Sequence, residues 1–261
     1  MASLPRVFVK AELKTDADIE ASANQVNYLT RVLRLADGAK VRVFNGQDGE
    51  WQATLRREGR TVLLVPTIQT REQVSVPDLE LAFAPLKKTR TDFVIEKATE
   101  LGVRTITPVL TQFTQTQRVR TDRLEALAIE AAEQTERLDL PSISDAVKLS
   151  DWLADRQSDS TRDRPLIFCD ENGSGAGLIQ SLSGMEPEPA TVLIGPEGGF
   201  SEQERQMLRR APGVLPVSLG PRILRAETAA VAALSIWQSC LGDWRNAPYV
   251  APEAERAGDT A

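Results

Sequence analysis

Two glycine-containing loops near the C-terminus hold the residues best suited to chemistry. Residues 194–200 read Ile-Gly-Pro-Glu-Gly-Gly-Phe, and residues 219–229 read Leu-Gly-Pro-Arg-Ile-Leu-Arg-Ala-Glu-Thr-Ala. Each follows an apolar run and leads into a helical pattern, which predicts a turn between a strand and a helix. Ser201 and Glu204 form a capping-box pattern at the start of the helix after the first loop. Because glycine lets a ligand approach the backbone closely, two such turns at one sheet edge would bind a small cofactor through backbone amides.

The second loop contains an apolar pair that a surface turn does not explain. Ile223 and Leu224 lie between two arginines, and we expect them to line a pocket. Glu227 and Thr228 then begin a helix rich in alanine, whose small side chains allow close packing against another backbone. A buried core helix is the alternative interpretation of this segment.

The absence of histidine restricts the chemistry of the site. The sequence has no histidine and two cysteines, Cys169 and Cys240. Ser-His-Asp and Cys-His triads, histidine bases and histidine-ligated metals are excluded, and two cysteines are too few for an iron–sulfur cluster. Both cysteines lie in apolar patterns, which is typical of buried free thiols. No metal is expected, and proton transfer falls to Asp, Glu, Lys, Arg, Tyr or water.

A third glycine-rich segment is a weaker candidate. Residues 171–177, Glu-Asn-Gly-Ser-Gly-Ala-Gly, follow a predicted strand and resemble the first motif of Rossmann-like methyltransferases. Such a fold needs an acidic residue at the end of the next strand and several further strands. The next strand instead ends in Gly195-Pro196, and too few residues follow for the remaining strands. A flexible glycine–serine loop is the favoured interpretation.

The elements that must position the two loops fall into two groups. Residues 1–70 read as short strands with glycine turns and one helix, which predicts a small β-barrel. From Leu79 onward strands and helices alternate, which predicts an α/β domain with a mostly parallel sheet. The predicted strands are 6–9, 40–44, 51–55, 61–66, 79–84, 105–110, 166–170, 191–194 and 214–218. The predicted helices are 25–35 (apolar face Val26, Leu29, Val32 and Leu33), 91–101, 123–134, 150–156, 202–210 and 227–241.

Composition is typical of a globular protein. Apolar residues make up 41% of the chain and charged residues 26%, with a net charge of −6. No apolar run reaches the roughly 18 residues of a membrane span, and the first ten residues lack the apolar stretch of a secretory signal. We therefore expect a cytoplasmic protein with no membrane partner. The negative charge argues against nucleic acid, but residues 1–73 and 86–120 each contain more basic than acidic residues, which permits RNA binding.

The two loops also carry a family resemblance. Residues 194–200 and 219–229 resemble the SPOUT methyltransferases, and more narrowly the small-subunit ribosomal RNA methyltransferase E family, which methylates N3 of a uridine in 16S rRNA. Further matching strings occur in the family's order along the chain. They are Pro-Arg-Val-Phe-Val at 5–9, Arg-Val-Leu-Arg at 31–34, Lys-Ala-Thr-Glu-Leu-Gly-Val at 97–103, and Glu-Ala-Ala-Glu-Gln at 130–134 followed by Arg137.

The resemblance implies a fold, a cofactor and a set of partners. It implies an α/β protein with a PUA-like RNA-binding β-barrel at 1–72 and a SPOUT methyltransferase domain with a deep trefoil knot at 73–247; residues 248–261 are expected to be a disordered tail. It implies S-adenosylmethionine as cofactor, a homodimer that completes the site, and 16S rRNA or the small ribosomal subunit as partner. The implied cofactor-binding residues are Ile194, Gly195, Glu197, Gly199, Leu219, Gly220, Ile223, Leu224, Thr228 and Ala229.

The implied reaction also assigns roles to charged residues. In-line transfer of a methyl group to a ring nitrogen mainly requires that the protein position both reactants. Uridine N3 must lose a proton, so we expect Arg225 to stabilise the uridine anion while Glu227 or a water accepts the proton. The expected phosphate contacts are Arg6, Arg31, Arg34, Lys87, Lys88 and Arg90.

The chain departs from the family at three places. The family usually has a histidine near Asn27-Tyr28, Glu-Arg where this chain has Gln112-Phe113, and a basic stretch around Asp139. These positions lie outside the cofactor motifs, so they bear on RNA contacts and substrate rather than on methyl transfer. Two alternatives stay open. One is a SPOUT enzyme acting on another rRNA or tRNA position or on a ribose 2′-hydroxyl, and the other is a catalytically silent RNA-binding assembly factor.

Overall fold

The computed structural model describes residues 4–116, 118–158, 164–170, 175–186 and 189–246. The chain divides into two compact units, one formed by residues up to Ser75 with those from Trp244 onward, the other by Val76–Asp243. The expected tail at 248–261 and residues 171–174 of the third glycine-rich segment lie outside the described residues. The domain limits 1–72 and 73–247 stay a prediction.

The N-terminal unit is built on one five-stranded sheet. Its strands are β1 (Arg6–Phe8), β2 (Ile19–Glu20), β3 (Lys40–Phe44), β4 (Glu50–Glu58) and β5 (Thr61–Arg71). They pair in the order β1-β3-β4-β5-β2, antiparallel except for β1 with β3. The four predicted strands are confirmed, although β4 and β5 are longer than predicted and β2 was missed. Alternating strand residues such as Val41, Val43, Leu55 and Leu64 form the core.

The predicted helix at 25–35 is replaced by two shorter segments. A capping box begins α1 (Ala23–Asn27), and a π-helical turn follows at Tyr28–Val32. The wider turn rotates its last side chains and those that follow it relative to an α-helix. Val32 is 61% exposed and Leu33 is 36% exposed, so the predicted apolar face was wrong in its second half.

The second unit is an α/β structure around a parallel sheet, as predicted. Its strands are β6 (Leu79–Phe83), β7 (Thr105–Leu110), β8 (Ser142–Ile143), β9 (Val147–Lys148), β10 (Leu166–Cys169), β11 (Ala176–Gly177), β12 (Ala190–Ile194) and β13 (Val214–Ser218). They pair in the order β11-β13-β10-β12-β6-β7-β8, with β9 also paired to β7, and every pairing is parallel. The short strands β8, β9 and β11 were not predicted, because two residues show no alternation.

The helices of this unit lie where the apolar periodicity predicts them, with one addition. They are α2 (Lys88–Glu100), α3 (Thr121–Gln134), α4 (Leu149–Ser158), α5 (Leu178–Leu182), α6 (Glu202–Arg210) and α7 (Ala226–Cys240), followed by a 3-10 turn at Asp243–Arg245. The short helix α5 was missed. The capping box predicted between Ser201 and Glu204 is confirmed at the start of α6.

Helices cover both faces of the parallel sheet. Leu79, Leu81 and Phe83 of β6 join one core with α2, α3, α5 and α7, while Ala82 joins the other core with α4 and α6. A sheet buried on both faces needs nearly continuous apolar strands, and β10 and β12 are buried at every position. Within the described residues, none of the helices combines the length and apolarity that crossing a bilayer requires.

Candidate functional site

The two glycine loops meet at one edge of the parallel sheet. β10 lies between β12 and β13, and the three strands run in the same direction, so their carboxyl ends lie side by side. The first loop leaves β12 after Ile194, the second leaves β13 after Ser218, and Asp170 follows β10 between them. Ligands of open α/β sheets bind at this edge. The prediction that both loops lie at one edge of the sheet is confirmed.

Two adjoining cavities occupy this edge. The first has a volume of about 260 Å³ and is bounded by the first loop and by residues 223–226. The second has a volume of about 500 Å³ and is bounded by residues 217–224. Cys169, Ile223, Leu224 and Ala229 line both cavities, so the two spaces share a wall. The larger volume falls within the usual range for a small-molecule site.

The structure brings together most of the residues assigned to a cofactor. Those lining the first cavity are Ile194, Gly195, Glu197 and Gly199, those lining the second are Leu219 and Gly220, and those lining both are Ile223, Leu224 and Ala229. Thr228 is exposed and lines neither cavity. Ile223 is 85% exposed, so it forms an open margin of the site rather than the buried wall that its apolar side chain suggests.

Packing and backbone conformation explain the glycines of the first loop. A Cβ on Gly195 would lie 2.5 Å from the ring of Phe200, which is buried and packs edge-to-face on Phe168 with ring centroids 5.1 Å apart. Gly199 has a φ of 67°, and its N–H donates to the Pro196 carbonyl at 2.9 Å. The loop is therefore a closed turn that lies tightly against the sheet edge.

Two residues at the end of β10 line the site and were missed from the sequence. Burial raises the pKa of the Cys169 thiol to about 12, so this side chain is a neutral wall rather than a nucleophile. Asp170 has a fully buried side chain that accepts from Arg205 Nε at 3.3 Å and Arg209 Nη2 at 2.7 Å, both on α6. The signal that could have found them was their position at the end of the strand next to the two loop-bearing strands.

Charged residues form a cluster beside the first cavity. Arg90 on α2 lies 3.3 Å from Glu197 (Nη1 to Oε1) and 3.6 Å from Glu227 (Nε to Oε1). The second carboxylate oxygen of Glu227, Oε2, is buried and has no hydrogen-bond partner in the described part of the chain. Arg225 is exposed and lines the first cavity at the start of α7. Arg90, expected at an RNA phosphate, thus links the first loop to α7.

The remaining phosphate candidates divide by exposure. Arg31, Arg34, Lys87 and Lys88 are exposed, as a phosphate contact requires. Arg6 is only 7% exposed, its Nε donates to Glu50 Oε2 at 2.6 Å, and its guanidinium lies 4.4 Å from the centroid of the Phe44 ring. The expectation that Arg6 contacts RNA is therefore corrected, because its guanidinium is buried and pairs with Glu50 inside the N-terminal unit.

Of the three places where the sequence departs from the family pattern, the one at Phe113 lies close to the candidate site. A Cβ on Gly198 would lie 3.1 Å from the Cβ of Phe113, so this side chain packs beside the first loop although it is distant in sequence. Asp139 pairs with Arg137, whose guanidinium also donates to the carbonyls of Thr99 and Val103. Asn27 ends α1 and is exposed.

Comparison with known proteins decides the family. The family model described as RNA methyltransferase domain matches residues 73–238, and that described as RNA methyltransferase PUA domain matches residues 22–65. A protein of Rickettsia conorii named ribosomal RNA small subunit methyltransferase E is 34% identical over 88% of this chain and 93% of its own. The chain belongs to this methyltransferase E family. Its relative from Synechocystis is 32% identical over 88% of this chain and 76% of its own.

Two solved structures agree with this membership. A methyltransferase of Legionella pneumophila in complex with the cofactor SAM superposes with a TM-score of 0.82 at 29% identity, covering 93% of this chain and all of that one. A ribosomal RNA small subunit methyltransferase E of Neisseria gonorrhoeae bound to S-adenosyl methionine gives 0.79 at 27% identity, covering 92% and 99%. The methyltransferase E chain described here therefore has the mixed α/β fold of that family, with a PUA domain.

Proposed function

We propose that this protein transfers a methyl group from S-adenosylmethionine to N3 of a uridine in 16S rRNA of the small ribosomal subunit. Membership of the methyltransferase E family makes it an S-adenosylmethionine-dependent rRNA methyltransferase. The observation that carries the proposal is the meeting of two glycine loops around paired cavities at one sheet edge. The uridine and its N3 position come from the family.

The lining of the cavities suits S-adenosylmethionine. Gly195, Gly199 and Gly220 line the cavities. Open space lies where a Cβ of Gly220 would stand, so the backbone of Gly220 can approach the ligand closely. Leu224 and the neutral Cys169 supply apolar walls that suit an adenine ring. When bound, the cofactor supplies a methyl group activated on a sulfonium. The protein's part is to orient both reactants.

Two charged residues are suited to the proton and the developing anion. Glu227 Oε2 is buried and has no hydrogen-bond partner among the residues that the structure describes, so it has lone pairs free to accept the proton of N3, directly or through a water. Arg225 lies at the margin of the first cavity, where its charge would stabilise the uridine anion. Arg90 pairs with both Glu197 and Glu227 and would hold the two carboxylates in place.

The decisive experiment is nucleoside analysis of rRNA from a strain lacking this protein. We expect N3-methyluridine to disappear from 16S rRNA and to return with the wild-type gene. Glu227→Gln keeps the shape but weakens the base, so we expect turnover to fall about 10²- to 10⁴-fold with unchanged calorimetric affinity for S-adenosylmethionine. Glu202→Gln, an exposed carboxylate on α6, is the control and is expected to behave as wild type.

Each alternative has its own outcome in these measurements. Retained N3-methyluridine with loss of another methylated nucleoside from rRNA or tRNA would show a different target. A wild-type protein that binds rRNA but shows no calorimetric heat with S-adenosylmethionine would be a silent assembly factor.

We also propose the knot, the homodimer and a cytoplasmic location. Because β10 lies between β12 and β13, the chain from β12 to β13 passes over β10 through α6, and α7 then packs back on β12. This connection is compatible with a trefoil knot. A partner subunit would cover the exposed side chain of Ile223. Sedimentation tests the dimer, because Ile223→Lys should shift the dimer toward the monomer.

A cytoplasmic location follows from a ribosomal substrate, and fluorescence imaging of the tagged protein tests it.

A further inference from the structure

An uncharged surface lies directly beside the first loop. It consists of residues 111–115, the turn after β7, and we call it the 111–115 surface. Phe113 packs against Gly198 yet remains 43% exposed. A cavity of about 470 Å³ is lined by four residues of this turn, Gln112, Phe113, Thr114 and Gln115, together with Gly198. An exposed aromatic ring flanked by side-chain amides is thus placed next to a loop of the cofactor site.

The turn that carries Phe113 is firmly held. The Thr111 N–H donates to Thr114 Oγ1 at 2.9 Å, and the Thr114 N–H donates back to the Thr111 carbonyl at 3.1 Å. The Gln112 N–H donates to Oε1 of the buried Glu204 at 2.7 Å, which ties the turn to α6. Because these hydrogen bonds hold the backbone of the turn, little backbone conformational entropy would be lost when a ligand contacts it.

A basic cleft continues from this surface. Gln112 and Thr114 also line a cavity of about 830 Å³ that extends to Lys148 and Arg210. Both cations are exposed, and neither has an ion pair within the described residues. Glu204 also lines the cleft, but its carboxylate is buried and accepts from the Gln112 and Ser201 N–H groups. The two cations are therefore the exposed charges that the cleft offers to a ligand that also contacts Phe113.

We propose that the 111–115 surface and this cleft bind the unpaired RNA strand beside the target nucleotide. One base stacks on Phe113, the amides of Gln112 and Gln115 contact base edges, and Lys148 and Arg210 contact phosphates. Proteins recognise unpaired RNA by stacking bases on aromatic rings and by hydrogen bonding to base edges. A uniformly charged surface would bind only the phosphate backbone of the RNA. The proposal rests on the proposed function, because it takes the first loop as part of the methyl-donor site.

The test compares two phenylalanines of similar exposure. The probe is a labelled 16S rRNA fragment carrying the mapped target uridine, and its Kd is measured by fluorescence anisotropy. We expect Phe113→Ala to raise the Kd by about tenfold, within the range for loss of one stacked base, and Phe113→Trp to restore binding. Phe93 on α2 is 40% exposed, and Phe93→Ala is expected to leave the Kd unchanged. Thermal denaturation of each variant shows that it is folded.

The basic cleft is tested by salt dependence. Lys148→Gln and Arg210→Gln should each lower the slope of log Kd against log salt by about 0.7, the value for one phosphate contact on a single strand. Lys14→Gln, a surface lysine paired with Glu12 in the N-terminal unit, is the control. Unchanged slopes would remove Lys148 and Arg210 from the RNA path.

The outcomes separate this proposal from the proposed function. If wild type methylates the fragment and Phe113→Ala binds it as tightly as wild type, the stacking proposal is overturned and the proposed function stands. If wild type binds the fragment without methylating it, the proposed function fails while the stacking effect still decides this proposal. A shift of Phe113→Ala from dimer to monomer on sedimentation would identify the surface as a subunit interface and overturn the proposal. Absence of any binding by wild type would overturn both.

Discussion

At Gly195 the requirement for glycine comes from packing rather than from backbone conformation. The neighbouring ring of Phe200 is buried, so it cannot move away from an added Cβ at 2.5 Å. Gly198 likewise lies against Phe113, while Gly199 has the positive φ that glycine favours. A glycine-rich string therefore predicts a close approach, but it does not say whether the approaching atoms belong to the ligand or to the protein itself.

Gly195→Ala should damage both stability and cofactor binding. We expect a loss of about 1–3 kcal/mol in the free energy of unfolding, because the added methyl group overpacks the contact with Phe200. Displacing Phe200 would also move the loop that lines the first cavity, so calorimetry should show weaker S-adenosylmethionine binding. Gly177→Ala is the control, because nothing lies within 4 Å of its Cβ position and its φ is negative. Equal effects of the two substitutions would contradict the packing explanation.

At the scale of elements, α6 connects several parts of the site. It begins directly after the first loop, and its residues Arg205 and Arg209 pair with Asp170 at the end of β10. Glu204 closes the capping box with Ser201 and also accepts from the Gln112 N–H. The capping box was readable from four consecutive residues, whereas the contact with Gln112 depends on a neighbour 92 residues away.

Ser201→Ala tests whether this cap positions the first loop. Loss of the cap is expected to cost about 1 kcal/mol of unfolding free energy. Because the cap adjoins the first loop, we also expect a higher KM for S-adenosylmethionine with a smaller change in kcat. Ser22→Ala removes the equivalent capping box of α1 in the N-terminal unit and should leave that KM unchanged. An unaltered KM in Ser201→Ala would limit the role of the cap to stability.

At the scale of the whole molecule, each unit has its own core and its own buried polar contacts. In the N-terminal unit, the Glu50 side chain is fully buried, accepts from Arg6 at 2.6 Å and lies 3.7 Å from Arg42. Thr70 Oγ1 also donates to it at 3.2 Å. A buried carboxylate with these partners is needed to keep two buried guanidinium groups compensated.

Glu50→Gln should therefore destabilise the N-terminal unit selectively. Uncompensated buried charge is expected to cost about 3–5 kcal/mol in the free energy of unfolding, measured by urea denaturation. S-adenosylmethionine should still bind, since its cavities are lined by residues of the second unit. Glu12→Gln, which breaks an exposed ion pair with Lys14, should have no measurable effect. Parallel loss of cofactor binding in Glu50→Gln would show that the two units do not fold separately.

The sequence by itself determined the alternation of strands and helices, the parallel sheet and the two loops, because apolar periodicity and glycine turns are local signals. It also excluded histidine chemistry outright. Only the tertiary structure decided that Arg6 is buried against Glu50, that Val32 and Leu33 are exposed at the end of a π-helical turn, and that Arg90 joins Glu197 to Glu227. The tertiary structure also places Cys169, Asp170 and Phe113 beside the two glycine loops. These facts depend on which strands are neighbours and on how turns rotate side chains. Contacts between residues that are distant in sequence produce no periodic pattern of apolar residues from which they could be predicted.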